Sequence, residues 1–214
     1  MQIFEGIIFD IDGTLTSTNE LIFESFRYVA EKYFHKSPSD EEIISLFGPP
    51  EDVILRNWSG DMYDTVRKDY YDFYIKNHHM AALYPGIKDI LESIKEKNIP
   101  LSIFTGKGRT AALITLSKLG IEKYFDLIVT GEDVKEHKPS AEGIILFIKK
   151  FNLPSEKVLM IGDSVSDIKA SREAGIKIAS VVWDSYSKEK VLDYGSDYLF
   201  YTVEELSRFI SDSI

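Results

Sequence analysis

Short, nearly continuous apolar runs recur along this chain, separated by stretches in which apolar residues return every three or four positions. The runs cover residues 6–10, 101–105, 127–130, 158–162 and 178–182, with a weaker one at 198–200. Runs this short, with little polar alternation, predict strands buried on both faces of a parallel sheet. Helical periodicity occupies residues 87–97, 109–119, 141–151, 166–174 and 203–210. Gly120 and Gly175 stand where helix C-terminal glycines belong, and Pro154-Ser155 breaks the chain before the next run. Strand–helix alternation of this kind predicts βαβ units with right-handed crossovers.

Residues 16–82 break that alternation. Phe23, Phe26, Val29, Ala30 and Tyr33 fall at helical spacing, as do Ile43, Ile44 and Phe47, and then Tyr70, Tyr71, Phe73 and Tyr74. An all-helical insertion packing on its own small core is expected. Gly48-Pro49-Pro50 separates two of its helices, and Tyr84-Pro85-Gly86 marks the return to the main pattern. A chain of 214 residues accommodates one α/β domain with such an insertion.

Composition narrows the chemistry. With no cysteine, disulfides, thiolate nucleophiles and cysteine-based zinc sites are excluded. A net charge of −10 opposes non-specific binding to nucleic acid or to an anionic membrane. An anionic substrate must therefore be drawn by a local cation or a few placed basic groups. The first residues carry no basic n-region, and the leading apolar run is too short for a signal peptide or membrane span, so a cytoplasmic location is expected. The oligomeric state leaves no mark in the sequence.

The first run delivers two carboxylates, Asp10 and Asp12, into a turn containing Gly13. Alternate residues of an extended chain share a face, so the two acids converge if the backbone stays extended past the strand end. Two acids that close need a cation, a proton or a ring of donors. Ligands of open parallel sheets bind at the carboxyl ends of the strands, which makes the residues after each later run informative. After the second run comes Thr105-Gly106-Lys107, a hydroxyl and an amide able to cradle an oxyanion. After the third comes Lys138-Pro139, and after the fourth Gly162-Asp163-Ser164-Val165-Ser166-Asp167. Each alone also reads as a cap, a turn or a solvated charge. Together they supply acids for a hard cation, donors for phosphate oxygens and one lysine, which suits phosphoryl transfer.

On these motifs the chain resembles a haloacid dehalogenase-superfamily phosphatase over essentially its whole length, similar to phosphoglycolate phosphatases and the related pyrophosphatases. The resemblance implies an α/β fold: a Rossmann-like parallel sheet core with helices on both faces, plus an all-helical cap inserted after the first strand. It divides the chain into a core of residues 1–15 and 83–214 and a cap of residues 16–82. It implies Mg²⁺ as cofactor, a small phosphorylated metabolite as substrate, and no nucleic-acid or membrane partner. Asp10 would attack phosphorus and form an aspartyl-phosphate, while Asp12 would protonate the leaving oxygen and then activate water. Asp10, Asp163 and the backbone carbonyl of Asp12 would hold the metal. Thr105 and the Gly106 amide would hold phosphate oxygens, with Thr14 and Arg109 as further substrate contacts, and Lys138 would neutralise charge. Asp167 would sit one step behind, orienting a metal-bound water or Lys138.

An acid at position 12 favours phosphate over carbon–halogen chemistry within this superfamily. A sugar phosphomutase reading competes, since mutases share the aspartyl-phosphate. They usually carry a histidine in the cap hinge, where this chain has Leu21-Ile22. An inorganic pyrophosphatase and a non-catalytic binding domain compete as well. The lysine motif continues Ser140-Ala141 where relatives usually have a second proline or an aspartate further on. His78-His79 point about 100° apart on a helix and make a poor chelating pair. Arg56 is a candidate leaving-group contact, and Trp58 is expected in the core of the insertion.

Overall fold

The computed structural model describes residues 3–214, so the first two residues of the expected core segment lie outside it. Six strands form one parallel sheet: β1 (Gly6–Phe9), β4 (Leu101–Phe104), β5 (Leu127–Val129), β6 (Val158–Gly162), β7 (Lys177–Val181) and β8 (Tyr198–Phe200). Their order is β5-β4-β1-β6-β7-β8. The chain leaves the central β1, builds outward on one side, then returns to build the other side. That reversal opens a crevice at the carboxyl ends of β1, β4 and β6, where ligands of such sheets bind.

The apolar runs are buried on both faces, as a covered parallel sheet requires. In β1, Ile7 and Phe9 pack against Ile90, Leu116 and Leu206, contributed by helices α5 (Ile87–Glu96), α6 (Arg109–Lys118) and α10 (Val203–Ser213). Ile8 points the other way, toward Ile144, Phe147 and Ile168 of α7 (Glu142–Phe151) and α8 (Val165–Ala174). Gly120 and Gly175 both adopt φ of +68°, the left-handed conformation that ends α6 and α8.

The insertion is helical, as its periodicity predicts. It comprises α1 (Asn19–Phe34), α2 (Asp40–Ile44), α3 (Glu51–Ser59) and α4 (Tyr63–Lys76). Phe26, Leu55, Val66, Tyr70 and Tyr74 form a third apolar core, distinct from the two flanking the sheet. A two-stranded antiparallel ribbon, β2 (Thr16–Ser17) with β3 (Ala82–Leu83), ties the two crossings of the chain together. The polar helix α9 (Lys188–Tyr194) follows β7; it buries Val191 alone, too weak a pattern to be read as a helix from sequence.

Candidate active site

Asp10 follows β1 directly. Its Oδ1 accepts the Ile11 amide at 2.8 Å, and its Oδ2 lies 2.9 Å from Lys138 Nζ. Lys138 also donates to Asp167 Oδ1 at 2.7 Å. The second oxygen of Asp167 accepts the amide and hydroxyl of Ser164, at 3.1 and 2.6 Å, which caps α8. One buried carboxylate therefore fixes both a helix start and a lysine. Burial opposes the charge on Lys138, yet Asp10 and Asp167 outweigh it and hold the ammonium above the usual lysine range.

Asp163 follows β6 directly. Asp10, Asp163 and Asp167 bring one carboxylate oxygen each to within 4.8 Å of one another. Burial, then the charges of Asp167 and Asp10, push the Asp163 carboxyl well above the usual carboxylate range. The Thr14 hydroxyl reaches Asp163 Oδ1 only at 3.5 Å. Gly13 adopts φ of +74°, and a Cβ there would stand 2.6 Å from Asp163 Oδ2, so the turn needs glycine on both counts. An all-oxygen donor set that repels itself, with one member short of compensation, fits a hard divalent cation such as Mg²⁺.

Asp12 shares the crevice, but its carboxylate is held by a separate set of partners. It accepts the Thr18 hydroxyl and lies 3.2 and 3.3 Å from Lys107 Nζ. The Lys107 side chain is 1% exposed, and its ammonium also meets Glu51 Oε1 at 3.3 Å. Glu51 begins α3 of the cap, and its Oε2 accepts the Gly108 amide at 2.6 Å. A Cβ on Gly108 would lie 2.8 Å from that oxygen, so glycine permits the close approach. Burial raises the Glu51 carboxyl, with Lys107 pulling it back. For Lys107, burial lowers and Asp12, Tyr74 and Glu51 raise; the outcome lies well above the ordinary value. Asp12, Lys107 and Glu51 thus form an ionic chain from core to cap, buried at Lys107 and Glu51 and half-buried at Asp12.

Between cap and core lies a cavity of about 340 Å³. Asp10, Asp12, Thr105, Gly106, Lys138 and Asp163 line it from the core, and Ile22, Phe26, Glu51 and Ile54 from the cap. Thr105 is buried, and its Oγ1 accepts the Lys107 amide at 3.3 Å, leaving its own proton free to donate.

The family profile described as haloacid dehalogenase-like hydrolase matches residues 7–181. This chain belongs to that family. The haloacid dehalogenase-like chain is 31% identical to the pyrophosphatase PpaX of Bacillus pumilus over 201 residues, spanning 94% of this chain and 93% of the relative. A haloacid dehalogenase-like family hydrolase from Streptococcus pneumoniae superposes with a TM-score of 0.77 at 29% identity, over 98% of this chain and all of the other. A structure described as a predicted phosphoglycolate phosphatase from Haemophilus somnus shares the fold with a TM-score of 0.87 at 22% identity, covering 98% and 99% of the two chains.

In this haloacid dehalogenase-like hydrolase, six of the nine site residues read from sequence line one cavity. Thr14 and Asp167 stand behind it, touching Asp163 and Lys138. Arg109 lies outside: its guanidinium pairs with Asp133 at 2.8 Å and its amide donates to Glu132. Arg56 is exposed, 3.8 Å over the Tyr63 ring, and Trp58 packs on Phe26 and Phe34 in the cap core. His78 is buried beside Tyr74 while His79 is exposed, so the two do not converge on a metal. Sequence reasoning passed over Lys107 and Glu51 as site residues. Lys107 stood in a recognised motif, but its acid partner comes from the cap, and no local pattern joins them.

Proposed function

We propose that this haloacid dehalogenase-like hydrolase is a Mg²⁺-dependent phosphatase that hydrolyses a small phosphorylated metabolite through an aspartyl-phosphate. One observation carries the reading. Asp10, held by Lys138 and the Ile11 amide, opens onto the same cavity as Asp12, with Asp163 and Asp167 each placing a carboxylate oxygen beside it. A nucleophile, an acid and an oxyanion cradle then face one reacting phosphorus.

A carboxylate oxygen of Asp10 attacks phosphorus as the bond to the leaving oxygen breaks, and Asp12 donates the proton that leaves with the alcohol. Asp12, now a carboxylate, takes a proton from water, whose oxygen attacks the phosphoryl group and restores Asp10 with release of phosphate. The Thr105 hydroxyl and Gly106 amide hold phosphate oxygens, and Lys138 balances the charge gathered there. Asp10, Asp163 and the Asp12 carbonyl would hold Mg²⁺, which supplies charge neutralisation to the phosphoryl oxygens. Asp167 positions Lys138. We assign residues 1–15 and 83–214 to the core and 16–82 to the cap.

Pyrophosphate is a second substrate reading, favoured by the names of relatives such as the PpaX protein of Bacillus pumilus. The test is Asp10→Asn, with phosphate release followed in the presence of Mg²⁺. Turnover should fall by roughly 10⁴-fold or more, as when a covalent nucleophile is removed. Wild-type turnover by that variant would refute the nucleophile. Chelation with EDTA should abolish wild-type activity, and Mg²⁺ should restore it; activity that survives chelation would refute the metal requirement.

A further inference from the structure

The cap face of the cavity is apolar. Ile22, Phe26, Ile44, Phe47, Pro49 and Ile54 line it, and the polar cap residues that join them are Asn19 and Glu51. Among the described residues, no lysine, arginine or histidine of the cap reaches this wall. The cap's cations are directed elsewhere: Arg27 to Glu24 and Asp40, Lys32 to Asp69, Arg67 to Asp52, and Lys68 to Asp72. On the core side, the two buried lysines already have two carboxylates each, Lys107 with Asp12 and Glu51, Lys138 with Asp10 and Asp167. The remaining cation is Lys190 on α9, exposed at the rim where water screens its charge.

Aromatic rings complete the wall. Phe23 of α1 lies 6.1 Å from Phe47 of the cap and 5.9 Å from Tyr186 of the core, so the rings bridge the two halves beside the cavity.

We infer that the leaving-group end of this site takes an uncharged apolar moiety, so that the substrates are phosphomonoesters of apolar alcohols or phenols. The inference rests on the phosphatase reading above and names the substrate class within it. A second anionic group, as in pyrophosphate or phosphoglycolate, would be buried against an apolar wall with Glu51 as its nearest cap charge. A buried anion without a partner carries a large desolvation cost. An apolar group exchanges water for that same wall and is favoured by its area. The discrimination falls on kcat/KM, because the leaving group is held against the cap in the transition state as well as in the ground state.

The test uses the full chain with saturating Mg²⁺ and compares phosphate release from phenethyl phosphate, phosphoglycolate and pyrophosphate. The first two release primary alkoxides, so their ratio reads the cap rather than intrinsic leaving-group reactivity. Phenethyl phosphate should lead both others in kcat/KM by roughly a hundredfold. A lead of less than about tenfold, or a reversal, overturns the inference while leaving the phosphatase reading intact. Absence of turnover on all three refutes the phosphatase reading itself and the inference with it. The exposed Phe47 supports a second arm. Phe47→Arg, checked for an unchanged melting temperature, should narrow the ratio of phenethyl phosphate to phosphoglycolate by about tenfold or more. An unchanged ratio in a folded variant removes the cap wall as the selecting surface.

Discussion

Replacing Lys107 with Met keeps the apolar stem and deletes the ammonium that separates Asp12 from Glu51. At 3.2 and 3.3 Å, each contact is worth about 5 kcal/mol of gross attraction at an effective dielectric constant of about 20. Desolvation cancels much of that in the intact chain, but deleting the shared partner leaves two close carboxylates uncompensated, at a cost of about 3–5 kcal/mol. For a chain of this size each kcal/mol lowers the melting temperature by about 2–4 °C, so the variant should melt roughly 6–20 °C below the wild type near neutral pH. The loss should depend on pH. Burial already raises the folded pKa of Glu51, and Lys107 opposes that rise, so the variant's Glu51 moves further up. A carboxyl with a raised folded pKa carries no penalty below its unfolded value of about 4.3, where both states hold the proton. The penalty grows as pH rises from there through the folded value. Thermal melts between acid and neutral pH should therefore show the deficit shrinking toward the acid end. A deficit under about 1 kcal/mol, or one that does not vary with pH, would refute the claim that Lys107 neutralises the buried Glu51 and the half-buried Asp12.

Other outcomes follow from the same geometry. Asp12→Asn should slow alkyl phosphates far more than nitrophenyl phosphate, since only poor leaving groups need a proton; equal losses on both would remove the general-acid role. Gly13→Ala should lower stability by about 1–3 kcal/mol and weaken Mg²⁺ activation, because the new methyl meets Asp163 in a positive-φ turn; an unperturbed Mg²⁺ titration would show that the turn does not shape the cation site. Asp167→Asn should keep the helix cap through its remaining oxygen while loosening Lys138. We expect a lower melting temperature, since a buried ion pair loses one partner, and a lower kcat at a temperature where the variant is folded; a kcat equal to wild type there would refute the positioning role.

The sheet was legible because its strands are short, nearly continuous apolar runs, and three of the site residues directly follow a strand. Asp10 after Phe9, Thr105 after Phe104 and Asp163 after Gly162 needed only the rule that parallel sheets bind ligands at their carboxyl ends. What stayed hidden was long-range. Glu51 opens a cap helix behind a proline, and nothing local distinguishes it from the neighbouring Asp52, which pairs with Arg67. Arg109 was misleading for the same reason: it stands two residues past Lys107, but Asp133 across the loop draws it outward. The two-residue strands at the cap boundary are too short to leave a periodic trace.

That small ribbon has a consequence for how such proteins diversify. Thr16 faces Leu83 and Ser17 faces Ala82 in antiparallel register, so the two ends of the insertion stand about 5 Å apart. A gap that narrow is spanned by an ordinary tight turn. The whole helical module can therefore be exchanged for another, or shortened to a loop, without moving a single strand of the sheet beneath. Selectivity is then free to evolve by transplantation while Asp10, Lys138, Asp163 and Asp167, which cluster within the core, are inherited unchanged.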